Sequence, residues 1–527
     1  MMPWFEHLIT MPVVLPLLFG ALLMMFNERN HRVKFWLNMS AVTGLLGVAV
    51  VLLVTVDTHP DATLNYQAAN WQAPFGISLV VDRLSALMLV LVAAVALAAL
   101  CFSYQRWMKA GARYHSLFLF LLMGMNGALI TGDLFNLFVF FEVMLAASYG
   151  LLLHGKNKIR VRAGMNFIAL NLVAALFFLI GIALVYSATG SLNLADLAVK
   201  SSLITGADKA LFDTGLVVMA VAFLAKSGIW PLGFWMPSAY SAAIPPVAAL
   251  LTLVTKMGVY VLYRLWPLVV VDNDSQLVAW GGQLLFWAGV ITMLYASFGL
   301  LASRDSRRLA SYSAMLSSGI LVALLGFGEY SLASAALFYL ASSALAVAAF
   351  MLLLELTDRL YSPLSIARAA ALKSLDEEDE DDETHGVAIP AAMAFLGLSF
   401  MGCALVLAGM PPLSGFVAKF GMLTNLLAVW ESLPRLNTII FISMLLVSGG
   451  FAIIALMRLG VKAFWSNPSP EPPRLSLSEA TPILWLLSLC VLMAVLAGPV
   501  RGYMDRTGAD LFSQSSVAVV TVTGEGI

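Results

Sequence analysis

The sequence predicts an all-α polytopic membrane protein with about fourteen transmembrane helices. Three observations carry that prediction. Of 527 residues, 61% are hydrophobic and only 11% are charged, against roughly 25% charged in an ordinary soluble domain. The apolar residues gather into fourteen runs, most of them near the roughly 20 residues that a bilayer span needs. The basic residues between runs are unevenly shared, nineteen on one set of alternate loops and six on the other. A soluble cytosolic enzyme, a nucleic-acid-binding protein and a disordered chain are thereby excluded. The 29 basic and 30 acidic residues nearly cancel, so net charge identifies no partner.

In chain order the runs cover about 8–26, 35–56, 79–103, 115–132, 134–154, 165–188 and 211–230, then 243–268, 277–302, 309–327, 332–356, 388–428, 438–462 and 481–499. The first lacks a basic leader and a small-residue cleavage site, so it is expected to be a retained helix and not a signal peptide. The seventh is interrupted by Trp230, Pro231, Leu232 and Gly233. The twelfth is too long for one span and is interrupted at 409–415, where Pro411 and Pro412 sit between glycines. Proline removes a donor and glycine permits a sharp bend, so both are expected to be broken helices. Broken helices at membrane depth survive only where protein or a cavity covers them. The positive-inside rule places the nineteen-residue set in the cytoplasm and both termini outside. Between runs eleven and twelve, 376–383 is an unbroken acidic run, expected to be a solvated cytoplasmic loop. The tail beyond Arg501 is expected to be poorly ordered. Cys101, Cys403 and Cys490 sit in apolar runs without metal-type spacing and read as small hydrophobes. No cofactor or metal is expected.

Few charges remain inside the runs. Lys226, Lys256 and Lys419 are the basic residues well within a span, and Glu142 is the acid at a span centre. Glu355, Asp82, Asp133 and Asp213 fall nearer the ends. A charge at a helix centre costs about 2.5–3.5 kcal/mol, so four cost on the order of 10–14 kcal/mol. That rivals the whole stability of a domain, which argues for function over structure. Chemically, a buried ammonium gives up its proton more readily than one in water, and an adjacent carboxylate reverses this. Opening and closing a Glu142–Lys226 pair would release and capture a proton. Lys256 and Lys419 could then serve as successive stations, with Thr252, Thr255, Ser414 and Thr424 as neighbouring hydroxyls. No histidine lies at a span centre. Lysine before one break and after the other also hints at an inverted repeat.

The motifs resemble a known superfamily, the antiporter-like membrane subunits shared by respiratory complex I and the Mrp-type (Pha/Mnh-type) multi-subunit monovalent cation/proton antiporters. The matching stretches are FGIS at 75–78, DRLS at 82–85, GDLFNLFVFFE at 132–142, AKSGIWP at 225–231, LVTKMGVY at 253–260, RRLASYS at 307–313, and GMPPLSGF at 409–416 followed by Lys419. Within the superfamily the chain is most similar to the D-type branch of the Mrp antiporters. The resemblance implies a fourteen-helix fold with two inverted five-helix repeats, spans 4–8 and 9–13. It divides the chain into helices 1–3 at 1–114, a first repeat at 115–271, a second at 272–463 containing the acidic loop 374–386, and a last helix with its tail at 464–527. It also implies roles: Glu142 and Lys226 as a gating ion pair, Lys256 as central proton carrier and Lys419 as the terminal lysine. Pro231, Pro411 and Pro412 would break the helices, and Thr255, Ser342 and Ser343 would support the relay. The implied function is a subunit that translocates protons, with cations as an open alternative, to drive Na+ or K+ efflux from a bacterial cell. Its partners would be subunits of the A, B, C, E, F and G types and the lipid membrane. The alternative is a proton-pumping subunit of an NADH–quinone oxidoreductase or hydrogenase-like complex. The chain departs from many relatives at Gly233, where they carry histidine, and at 340–347 (LASSALAV), where they carry a histidine and a lysine.

Overall fold

The structure is a computed structural model that describes residues 7–59, 63–67, 71, 76–109, 113–155, 158–270, 276–360, 391–465 and 475–512. The acidic run at 376–383 lies outside the described residues. Eighteen α-helices are described: α1 (Met11–Met25), α2 (His31–Thr58), α3 (Arg83–Ser103), α4 (Tyr114–Ile130), α5 (Leu134–Leu152) and α6 (Lys158–Thr189). They continue with α7 (Leu194–Ser201), α8 (Gly206–Lys226), α9 (Met236–Ala242), α10 (Pro245–Val270), α11 (Gln276–Ala302) and α12 (Ser306–Leu325). The last are α13 (Tyr330–Leu360), α14 (Ala391–Ala408), α15 (Ser414–Ala428), α16 (Arg435–Phe464), α17 (Leu477–Val495) and α18 (Ala497–Phe512).

Twelve of the described helices are long and apolar enough to cross a membrane, and every apolar run of the sequence is occupied by at least one helix. The chain is an all-α, multi-pass membrane protein. A helix apolar on every side belongs in the interior, and α10 and α13 obey this: both are buried along their apolar length. Around them α6 packs on α8, α11 on α12, and α4 on α5, while α13 also touches α15, α17 and α18. Side chains such as Leu172, Leu176, Ile180, Leu446 and Met457 are exposed on the outer helices, as expected where lipid replaces water.

Two features depart from the sequence reading. A two-stranded antiparallel hairpin, β1 (Thr63–Gln67) with β2 (Ser78–Asp82), precedes α3, and Asp82 then caps that helix by accepting from the Ser85 amide. The second departure is the stretch after Arg501, expected to be poorly ordered. Its residues to Phe512 continue the amphipathic α18, which begins at Ala497 and packs on α13. Arg83 explains part of this: it pairs with Asp57 of α2 at 3.0 Å and with Asp510 of α18 at 2.5 Å. The partner of a polar helix face lay more than 400 residues away, beyond the reach of local pattern.

Both broken helices are present and are built alike. Helix α8 stops at Lys226, and Gly228 follows with φ +74°. The Ile229 amide then donates back to the Leu224 carbonyl at 3.0 Å. Helix α14 stops at Ala408, Gly409 follows with φ +78°, and the Met410 amide donates to the Leu405 carbonyl at 2.9 Å. These are two Schellman ends, in which a left-handed glycine lets the next amide reach an orphan carbonyl. Beyond the first break the Trp230 amide finds Thr292 Oγ1 of α11 at 3.0 Å, so the irregular backbone is covered by protein. Gly233 has no room for any side chain, since a Cβ there would lie 2.0 Å from the Gly228 carbonyl oxygen.

Candidate ion-translocation site

Each break presents a lysine. Lys226 is the last residue of α8 and is buried, with its Nζ 5.4 Å from the centre of the Phe141 ring. Glu142 follows that phenylalanine in the middle of α5 and is half-buried. The structure brings these two side chains into one region, but not into contact as an ion pair. Lys226 Nζ and Glu142 Oε1 are each shielded from solvent without a hydrogen-bond partner. An unpaired buried ammonium and carboxylate oxygen both bear desolvation cost.

Lys256 lies on the buried helix α10 and is 1% exposed. Its Nζ donates to Ser317 Oγ and, at 3.2 Å, to Ser318 Oγ, both on α12. The hydroxyls singled out from the sequence do not hold it: Thr252 donates to the Ala249 carbonyl at 2.6 Å and Thr255 to the Thr252 carbonyl at 2.8 Å. Serine and threonine inside helices commonly bond back in this way. Ser317 and Ser318 are therefore the contacts that sequence reasoning missed. The polar pair in an apolar helix was the available signal.

Lys419 sits on α15, after the second break, and its Nζ donates to the Ala408 carbonyl at 2.7 Å. That oxygen is one of the orphan acceptors at the C-terminus of α14, where the helix dipole favours a cation. Gly409 makes the approach feasible, because a Cβ there would lie 2.5 Å from Lys419 Cδ. Ser414, the first residue of α15, shares a hydrogen bond of 2.8 Å with Ser342 of α13. Ser343 donates to the Leu340 carbonyl at 3.2 Å. Pro231 and Pro412 each follow a cis peptide bond, one within each break, and Pro411 stands just before the second.

The helix ends carry charges of a different kind. Glu355 of α13 is buried and not water-exposed as its position near a span end suggested. It receives Arg307 at 2.7 Å, Arg106 at 3.2 Å and Arg359 at 3.4 Å. Arg359 also reaches Glu479 of α17 at 2.7 Å. At the other end of the bundle Arg264 of α10 forms a two-pronged pair with Asp82. Lys34, counted among loop residues from the sequence, is buried against Glu28 at 2.9 Å. His115 and His154, both at helix ends, are also buried. Among the described residues no group of three or more His, Cys, Asp or Glu side chains could hold a metal ion.

The comparisons with known proteins agree with the motifs. Residues 131–446 match the family described as NADH:quinone oxidoreductase/Mrp antiporter, TM. A protein of Rhizobium meliloti (strain 1021), named as a probable K(+)/H(+) antiporter subunit of the D type, is 44% identical over 97% of both chains. The D-type Na(+)/H(+) antiporter subunit of Alkalihalophilus pseudofirmus is 31% identical over 99% of this chain and 100% of its own. In fold, the chain is similar to one chain of the Mrp complex from Dietzia sp. DQ12-45-1b, with a TM-score of 0.83, 24% identity and coverage of 98% and 99%. It is likewise similar in fold to a chain of respiratory complex I from Thermus thermophilus, with a TM-score of 0.74, 21% identity and coverage of 97% and 99%. With a matched region that spans both helix breaks and Lys226, Lys256 and Lys419, the chain belongs to the NADH:quinone oxidoreductase/Mrp antiporter transmembrane family.

Proposed function

We propose that the chain is one membrane subunit of a multi-subunit Na+ or K+/H+ antiporter, moving protons through Glu142, Lys226, Lys256 and Lys419 to drive cation efflux and hold cell pH. The observation that carries this reading is the set of three lysines buried within the spans, Lys226, Lys256 and Lys419, two of them at helix breaks, with Glu142 in the same region as the first. Opening the Glu142–Lys226 pair frees a proton for Lys256, and closing it captures the next. The two Schellman breaks, one per half, fit a pair of inverted repeats. The partners are other subunits of the assembly, of the A, B, C, E, F and G types, in a bacterial cell membrane with both termini on the external face. On this reading the chain is a transporter component and not an enzyme. A complex I-like pump would use the same fold, but the relatives at 44% and 31% identity carry antiporter names. The test is cation-dependent dequenching of a pH dye in everted vesicles holding the complete complex. Glu142→Ala and Lys226→Ala are each expected to abolish it, and near-wild-type exchange with assembly intact would overturn the reading.

A further inference from the structure

One arginine outside the set of interior charges grips two helix ends at once. Arg160, in the first turn of α6 and half-buried, donates from Nε to the Ala242 carbonyl at 2.8 Å and from Nη1 to the His154 carbonyl. Ala242 is the last residue of α9, the half-helix beyond the first break, and His154 follows the end of α5, the helix that carries Glu142. Both oxygens lie where a helix leaves its carbonyls without partners and its dipole favours a cation. Gly155 leaves room for the grip: its φ is +91°, and a Cβ there would lie 2.7 Å from Arg160 Nη1. Arg458 of α16, by contrast, donates to two carbonyls at a single helix end, those of Leu301 and Ser303, both at 2.8 Å.

At its opposite end α5 is fixed by main chain. The Leu134 amide donates to the Leu192 carbonyl and the Leu194 amide to the Gly132 carbonyl, both at 2.9 Å, which ties the start of α5 to the segment that follows α6. At the α6 start the tie is a single side chain. Helix α6 packs along α8, whose last residue is Lys226. The alignment of α5 on α6 therefore sets how far Glu142 stands from Lys226, and one of its two fixings depends on Arg160. We propose that Arg160 is a positioning residue for the Glu142–Lys226 site, holding the cytoplasmic end of α5 against α6 and α9 so that the carboxylate stays within range of the ammonium. The inference rests on the reading above and adds a residue that acts through the helices and not on the proton itself. Guanidinium suits the task, because its rigid fork reaches two acceptors and its charge strengthens both bonds. A lysine there would bring a point charge on a flexible stem, without the fork.

The experiment reads exchange in everted vesicles and the melting temperature of the purified complete complex for Arg160→Ala, Arg160→Lys, Gly155→Ala, Gly190→Ala and Lys226→Ala, with copurification of the other subunits as the assembly check. Arg160→Ala is expected to lower exchange at least tenfold, and Arg160→Lys to recover part of it. Gly155→Ala pushes the guanidinium aside while leaving it in the chain. Gly190→Ala, at φ +66° with nothing within 4 Å of its Cβ, carries the same left-handed backbone penalty and displaces nothing. The two glycine variants should therefore lose similar melting temperature, while exchange falls at least fivefold in Gly155→Ala and stays near wild type in Gly190→Ala. Equal exchange in the two would reduce the tie to a support of the fold and overturn the proposal. Should Arg160→Ala fail to assemble, the glycine pair and Arg160→Lys decide. Near-wild-type exchange in Arg160→Ala beside a dead Lys226→Ala would overturn the positioning role and leave the proposed function standing. Near-wild-type exchange in Lys226→Ala as well would overturn both.

Discussion

At the basic-loop end of α13, Glu355 is held by three arginines, whereas in the middle of the bundle the Lys226 ammonium has no hydrogen-bond partner at all. Asp82 with Arg264, and Arg83 with Asp57 and Asp510, follow the Glu355 pattern at the opposite end. Glu142, with a buried oxygen left unpaired, follows the Lys226 pattern. The saturated charges stitch together elements distant in sequence: Arg106 lies 249 residues from Glu355. They are structural ties. The unsaturated charges tie nothing and lower stability, and Lys226 sits where a helix breaks. Charges of the first kind hold the bundle still, and those of the second kind have a reason to move.

The comparison can be broken by removing members of each group. Glu355→Ala should have the largest effect on stability, because it removes the buried carboxylate that three arginines share; Arg307 keeps Asp358 and Arg359 keeps Glu479, so the loss is that of charged hydrogen bonds, about 1.5–3 kcal/mol. A clear fall in melting temperature of the purified complex is expected; an unchanged transition would mean the arginines find water instead. Next is Gly409→Ala. The left-handed backbone costs about 1–2 kcal/mol with a Cβ, and that Cβ meets the Lys419 chain. Gly228→Ala carries the same backbone penalty but meets Met236 Sδ at 2.7 Å and touches no lysine. Both should lower stability alike, and exchange should fall further in Gly409→Ala. Equal exchange in the two would detach Lys419 from its break.

The smallest effect belongs to Glu28, in the loop before α2. Burial pushes its carboxyl up, but the hydrogen bonds from Lys34 and from the Arg113 amide prevail and hold it below its ordinary value. A carboxyl lowered in the folded state adds stability above its unfolded pKa, and that contribution is lost as pH falls through the folded value. The melting difference between the native protein and Glu28→Gln should therefore be present at neutral pH and close on acidification below the ordinary carboxylate range. A gap that widened in acid would reverse the sign.

How much of this was legible in the sequence follows the same division. Lys226, Lys256, Lys419 and Glu142 stood out because each interrupts an apolar run, and the breaks were visible in Pro231, Pro411, Pro412 and their glycines. These are local signals, read within a few residues. The Glu355 cluster, the burial of Lys34 and the docking of α18 were not legible, since each depends on partners brought in by the fold. The hairpin before α3 was missed because its strands are short and lie beside a strongly apolar helix. Thr255 looked like a neighbour of Lys256, yet its hydroxyl turns to its own helix and Ser317 of α12 takes the contact. Sequence spacing cannot tell which face of α12 meets α10.

The most direct measurement of the central claim, that the interior charges are kept for transport at a cost in stability, is made on Lys226→Met in the complete complex. Melting temperature and cation-dependent dequenching are read on the same preparation. Removing an unpaired buried ammonium should stabilise by about 2.5–3.5 kcal/mol, from the cost of a charge at a helix centre. The melting temperature is thus expected to rise while exchange disappears. A fall in melting temperature with exchange preserved would show Lys226 to be a structural tie like Glu355, and would contradict the account.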